Sequence, residues 1–95
     1  MHFVRDARYV RGYELVLTFE DDTVRRVDLK PHLDGEIFEP LRDLSYFRTV
    51  RVHPDLDTIV WDNGADFSPD FLYEIGEEVI ATEVTAAGGR SDPAS

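Results

Sequence analysis

"GYELVLTFEDDTVRRVDL", Gly12 to Leu29, is the stretch that decides the fold. Tyr13, Leu15, Leu17 and Phe19 alternate with Glu14, Val16, Thr18 and Glu20. A period of two marks a strand with one apolar face. Glu20-Asp21-Asp22 then supplies turn residues without a bulky apolar group. From Thr23 to Leu29 the alternation resumes less regularly, with Val24, Val27 and Leu29 sharing the buried positions. The two runs predict an antiparallel hairpin. Upstream, Phe3 to Val10 predicts a third strand, turned back at Arg11-Gly12, with a pattern too weak to fix its facing.

Downstream the signal changes. "KPHLDGEIFEPL" (Lys30–Leu41) holds two prolines and a glycine, so it reads as short helical turns with Leu33, Ile37, Phe38 and Leu41 pointing inward. Asp43 is placed to cap a short helix over "LSYFR", because its carboxylate can accept orphan backbone N–H groups. Leu44 and Phe47, three apart, share one face of it. Val50 and Val52 predict a strand that stops at Pro54. After the "PDLD" turn, Thr58 to Trp61 is β-branched and aromatic, a strand paired back on its predecessor. Ser68-Pro69 reads as a helix start, the hydroxyl capping and the proline at the first helical position. Phe71, Leu72, Ile75 and Val79 follow on one face, Glu74, Glu77 and Glu78 on the other. Gly76 weakens that helix by about 1 kcal/mol relative to alanine. The expected architecture is α+β, in the order β-β-β-α-β-β-α, with a mainly antiparallel sheet and helices packed on one face. Residues 1–81 form a single domain and residues 82–95, small and polar, a disordered tail.

Composition fixes which function classes survive. The 95 residues are 42% apolar and 12% aromatic, which suits one small folded domain. There is no cysteine, so disulfides, thiolate catalysis and cysteine-built zinc sites are excluded. That usage is compatible with a reducing cytoplasm, the expected location. The first ten residues carry charges inside any apolar run and form no signal peptide, and no stretch reaches the roughly 18 apolar residues of a membrane span. Twenty acids against ten bases give a net charge of −10. Such a surface repels phosphate backbones and anionic lipid, which argues against direct nucleic-acid or membrane binding and favours a basic protein partner. Acidity also serves plain solubility.

The richest polar stretch is "TIVWDNGADFSPDFLYE", Thr58 to Glu74. Counted from Asp62, the sixth and twelfth positions of a calcium-binding loop fall on Phe67 and Tyr73, where glycine and glutamate are required, so that motif fails. Asp57, Asp62, Asp66 and Asp70 are residue types that turns and helix entries favour for backbone reasons. Trp61 reads as a core residue of the sheet or as an anchor for a partner. His2, His32 and His53 lack metal spacing. No serine sits in an elbow such as GxSxG, and no phosphate-cradling glycine loop is present. Arg5, Arg8, Arg11, Arg25 and Arg26 form a local basic strip, read as solvated ion pairs rather than a nucleic-acid site.

The strand "YELVLTFEDDTVRRVDL", then "FEPLRDLSYFRTVRV", then "TIVWDNGADFSPDFLY" resemble the uncharacterised bacterial domain-of-unknown-function family numbered 2442. The likeness spans Phe3 to Ile75. Its most specific part is the tryptophan followed by Asn-Gly, a small residue and Asp, with Pro, Leu and Tyr beyond. Here these are Trp61, Asn63, Gly64, Ala65, Asp66, Pro69, Leu72 and Tyr73. Asp28 and Leu29 match the Asp-Leu that ends the family's hairpin. The resemblance implies a small mixed α/β domain whose gene often sits beside that of another small protein, in an arrangement resembling a toxin–antitoxin pair. Some members add a helix-turn-helix domain, for which this sequence has no room after Ile80. It implies no catalytic residues.

The expectation is therefore a non-enzymatic protein-interaction domain, antitoxin-like, without a cofactor, binding a small basic protein encoded by a neighbouring gene. Trp61, Asp66, Tyr73 and Glu77 are the candidate contact residues, on an open sheet edge or the acidic helix face. The rival expectation is a ligand- or metal-binding domain or enzyme centred on Trp61, Asp62, Asn63 and Asp66. A third is a homodimer formed through the sheet edge.

Overall fold

The computed structural model describes residues 2–79; the tail expected from residue 82 lies outside them. Strands β1 (Val4–Arg11), β2 (Glu14–Phe19) and β3 (Val24–Asp28) form an antiparallel meander. The first turn is a two-residue loop, Gly12-Tyr13, with Gly12 at φ +51, where glycine meets no steric cost. The second is a three-residue loop closed by Phe19 N–H to Thr23 O, with Asp22 in the left-handed region at φ +72. Aspartate tolerates that conformation better than bulkier residues. The period-two reading of β2 holds: Leu15, Leu17 and Phe19 are buried, and Glu14, Val16 and Thr18 are half-buried on the outer side. The irregular β3 pattern has a specific cause. Val27 pairs with Leu15 on the core side, but the other core-side position, opposite Leu17, is Arg25; Val24 faces outward opposite Thr18.

Two 3-10 segments follow, Lys30–His32 and Glu36–Arg42. Leu33 and Leu41 are buried and Phe38 packs against the core. Ile37 does not turn inward and is 47% exposed. With three residues per turn, Phe38 and Leu41 align on one side and Ile37 is left off it. Asp43 caps α1 (Leu44–Phe47), its Oδ1 accepting from Ser45 N–H at 3.0 Å and Ser45 Oγ at 2.7 Å. This single turn buries only its far end. Phe47 lies in the core, whereas Leu44 is exposed, contrary to the shared face expected of them.

Strands β4 (Arg51–His53) and β5 (Thr58–Val60) pair antiparallel as a separate two-stranded sheet. Its turn holds Asp57 at φ +56, and Asp57 O accepts from Val4 N–H at 2.8 Å, which ties this hairpin to β1. Helix α2 (Pro69–Ile75) begins with proline at its first position, as expected, but the Ser68 hydroxyl makes no cap hydrogen bond. Pro69 removes one orphan donor, and Asp70 supplies negative charge in the first turn.

The helix expected to reach Val79 stops at Ile75. Gly76 turns out of it with ψ 148, and Glu77–Glu78 form β6, antiparallel to β3, with Glu77 opposite Arg26 and Glu78 opposite Arg25. A Cβ on Gly76 would stand 2.9 Å from Arg25 Cβ and 3.0 Å from both Val27 Cγ1 and Leu72 O. The chain passes β3 too closely for any side chain, and acids in register with bases then extend the sheet. Glu77 and Glu78 are thus sheet residues rather than partners of Glu74 on a helix face. The order of the larger sheet is β1-β2-β3-β6.

The fold is α+β with antiparallel sheets. One core holds Leu15, Leu17, Phe19, Val27, Leu29, Phe47, Ile59, Trp61, Phe67 and Leu72, so both sheets and both helices close on the same apolar face. Among the described residues no helix is long and apolar enough to cross a membrane.

Candidate partner-binding site

The Trp61–Asp66 loop is built from internal bonds. Trp61 N–H donates to Ala65 O and Gly64 N–H to Trp61 O, each at 3.0 Å, with Gly64 at φ +90. Val60 and Asp66 form a bridge that closes the loop. Asn63 fastens it from inside and out. Its Oδ1 accepts from Ala65 N–H at 3.0 Å, its Nδ2 donates to Ile37 O at 2.9 Å, and its backbone N–H donates to the Tyr46 hydroxyl at 2.9 Å. The loop is thereby tied to the 3-10 segment and to α1. Trp61 is 1% exposed and donates its indole N–H to Phe47 O at 2.9 Å. Asp62 is ion-paired with Arg51. Asp66 is exposed.

The residues of the rival ligand or metal site are therefore held apart. Trp61 points into the core, Asp62 to Arg51, and the Asn63 side chain to Ala65 and Ile37. Asp70, on α2, accepts from His2 N–H at 2.8 Å. Among the described residues no three His, Asp or Glu side chains converge as a metal site.

A second region draws in residues that sequence reasoning passed over. Tyr73, half-buried on α2, donates its hydroxyl to Asp21 Oδ2 at 3.1 Å. The His2 ring stacks on Tyr73 with centroids 3.6 Å apart and planes 2° apart. The Arg25 guanidinium carbon lies 3.7 Å from the same centroid. Two groups so close cannot share one face, so they sandwich the ring. Phe19 meets Tyr73 edge-on at 5.0 Å and His2 at 6.4 Å. Arg25 also donates to Gly76 O at 3.1 Å, while its Nε is buried without a partner. Asp21 is held below the usual carboxylate range, chiefly by the Thr23 hydroxyl and backbone N–H, with smaller help from Tyr73 and His2. Beside this ledge a cleft of about 120 Å³ is lined by His2, Phe3, Phe19, Glu20 and Asp21.

The four expected contact residues thus fall in different settings. Tyr73 stands on the ledge, Glu77 is exposed on β6, Asp66 is exposed in the loop, and Trp61 is in the core. His2, Asp21 and Arg25 were missed. Arg25 left one readable signal, a charged side chain at a core-parity position of β3. His2 left none, because its partners lie far along the chain.

A family model described as "Protein of unknown function (DUF2442)" matches residues 4–78. No curated protein and no solved structure matches the chain.

Proposed function

The chain belongs to the DUF2442 family of proteins of unknown function, and from that premise we propose that it is a non-enzymatic protein-interaction domain, antitoxin-like, whose partner is a small basic protein encoded by a neighbouring gene. The supporting observation is how the charges are distributed. Arg5, Arg8, Arg11, Arg26, Arg42 and Arg51 are in ion pairs. Arg25 and Arg48 lie over the rings of Tyr73 and Tyr9. On α2 and β6, by contrast, the exposed Glu74, Glu77 and Glu78 have no cationic partner within salt-bridge distance among the described residues. With these arginines engaged internally and those three glutamates not, α2 and β6 present a negative field to a basic partner, which speeds encounter with it. The neighbouring-gene assignment rests on the family resemblance.

Coexpression of the chain with the product of the adjacent gene, followed by tagged capture at low and raised salt, tests this. A stoichiometric complex that weakens as salt rises supports the reading. Absence of association at low salt rejects it.

A further inference from the structure

We propose that the cleft beside Tyr73 receives the guanidinium end of one arginine side chain from the basic partner. The inference rests on the partner-binding reading above and names the contact it would use. Three observations carry it.

The first is size. At about 120 Å³ the cleft is well below the roughly 300–1,000 Å³ of pockets that enclose cofactors or drug-sized ligands, and it suits the end of a single side chain. The second is chemistry. It is lined by the half-buried aromatic residues His2 and Phe3 and the exposed acids Glu20 and Asp21, over the fully buried Phe19. Thr23 holds Asp21 in its charged form, and Glu20 is exposed with no cation within salt-bridge distance among the described residues. Aromatic faces beside carboxylates recognise a planar cation, through stacking and through paired N–H donors. The third is internal. Beside the cleft, Arg25 already lies over one face of Tyr73, so a guanidinium on an aromatic ring is a contact this region already makes. The arginines nearest the cleft in sequence are taken elsewhere: Arg5 pairs with Asp22 and Arg25 donates to Gly76 O.

The occupant is an arginine rather than a lysine. A compact ammonium could meet the carboxylates but would not stack on the rings. Nor does the site suit an anion or a phosphate backbone, which Glu20, Asp21 and the adjacent Asp22 would repel.

Nuclear magnetic resonance titration of the full chain with N-acetyl-arginine amide tests the proposal, with the citrulline and lysine amides as comparisons. Dose-dependent shifts confined to His2, Phe3, Glu20 and Asp21 and their neighbours Phe19 and Tyr73 are expected with the arginine probe, and much weaker ones with citrulline. Glu20→Gln should weaken probe binding about tenfold, the scale of one charge-assisted hydrogen bond. Asp21→Asn, whose Oδ1 still accepts from Thr23 and whose Nδ2 can donate to the Tyr73 hydroxyl, should do the same with the fold intact, and Glu39→Gln on the 3-10 segment should do nothing. Equal shifts from the citrulline or lysine amide, or no effect of Glu20→Gln, would overturn it. Shifts from arginine without association of the neighbouring protein would keep the cleft as an arginine site and reject the neighbouring protein, and with it the interaction reading, as the source of that arginine. A partner complex indifferent to Glu20→Gln and Asp21→Asn would do the reverse.

Discussion

The Trp61–Asp66 loop and the Tyr73 ledge are both polar, aromatic and acidic, yet they use those residues in opposite ways. In the loop the polar groups are spent on the chain itself: Asn63 serves three bonds, the buried Trp61 indole N–H is given to Phe47 O, and the exposed Asp62 holds Arg51. On the ledge the interactions are stacked and edge-on, the Arg25 Nε has no partner, and Glu20 and Asp21 line an open cleft. The polar and aromatic stretch that stands out most in a sequence can therefore be one that closes a loop. Buried and bonded groups specify structure, whereas surface groups with remaining bonding capacity can meet a partner.

Substitutions can break that comparison. The largest effect is expected at Trp61, whose replacement by alanine empties the centre of the aromatic cluster with Phe47 and Phe67. Trp61→Ala should cost about 3–5 kcal/mol of stability in urea denaturation followed by circular dichroism. A loss under about 1 kcal/mol would mean the indole is not a core group. Asn63→Ala removes two side-chain hydrogen bonds and should cost about 2 kcal/mol, while leaving partner affinity per folded molecule unchanged. If affinity fell with stability intact, the loop would belong to the interface.

Tyr73→Phe keeps the ring between His2 and Arg25 and loses only the bond to Asp21, so stability should change by less than about 1 kcal/mol. Partner affinity should still fall, because Asp21 loses a group that fixes its position. Unchanged affinity would move the interface away from the ledge.

The smallest effect is a difference in acid behaviour. Asp43, which caps α1 next to the loop region, and Asp21, on the ledge, both sit below their ordinary values, through Ser45 and Thr23 respectively. A carboxyl whose folded value lies below its unfolded one adds stability that is fully present above the unfolded value, about 3.9. That stability is lost as the pH falls through the folded value. Asp43→Asn and Asp21→Asn should each flatten the acid limb of stability against pH below about 4. A limb unchanged by both would show that these bonds do not persist in solution.

Much of the fold was legible. Alternation in Leu15, Leu17 and Phe19 named β2 and its buried face, the acidic turn led into β3, Asp43 capped α1, and Ser68-Pro69 placed the start of α2. The end of α2 was not legible. Apolar spacing from Phe71 to Val79 is helical, and only the proximity of Gly76 to Arg25 and Val27 shows why the chain must leave the helix there. Ile37 and Leu44 misled because one-turn and 3-10 segments bury fewer positions than an α-helix of the same composition. Of the ledge, only Tyr73 stood out in the sequence. Its other members come from the residue before β1, the β2–β3 turn and β3, and their convergence is a product of tertiary packing that no local pattern records.

The most direct test is calorimetric titration of the neighbouring gene's product into wild-type chain, Glu74→Gln/Glu77→Gln and Asn63→Ala, at low and raised salt. The account predicts tight, salt-weakened binding to wild type, clearly weaker binding to the glutamate variant, and wild-type affinity for the folded fraction of Asn63→Ala. Binding that ignores salt and both glutamates but fails with Asn63→Ala would contradict it.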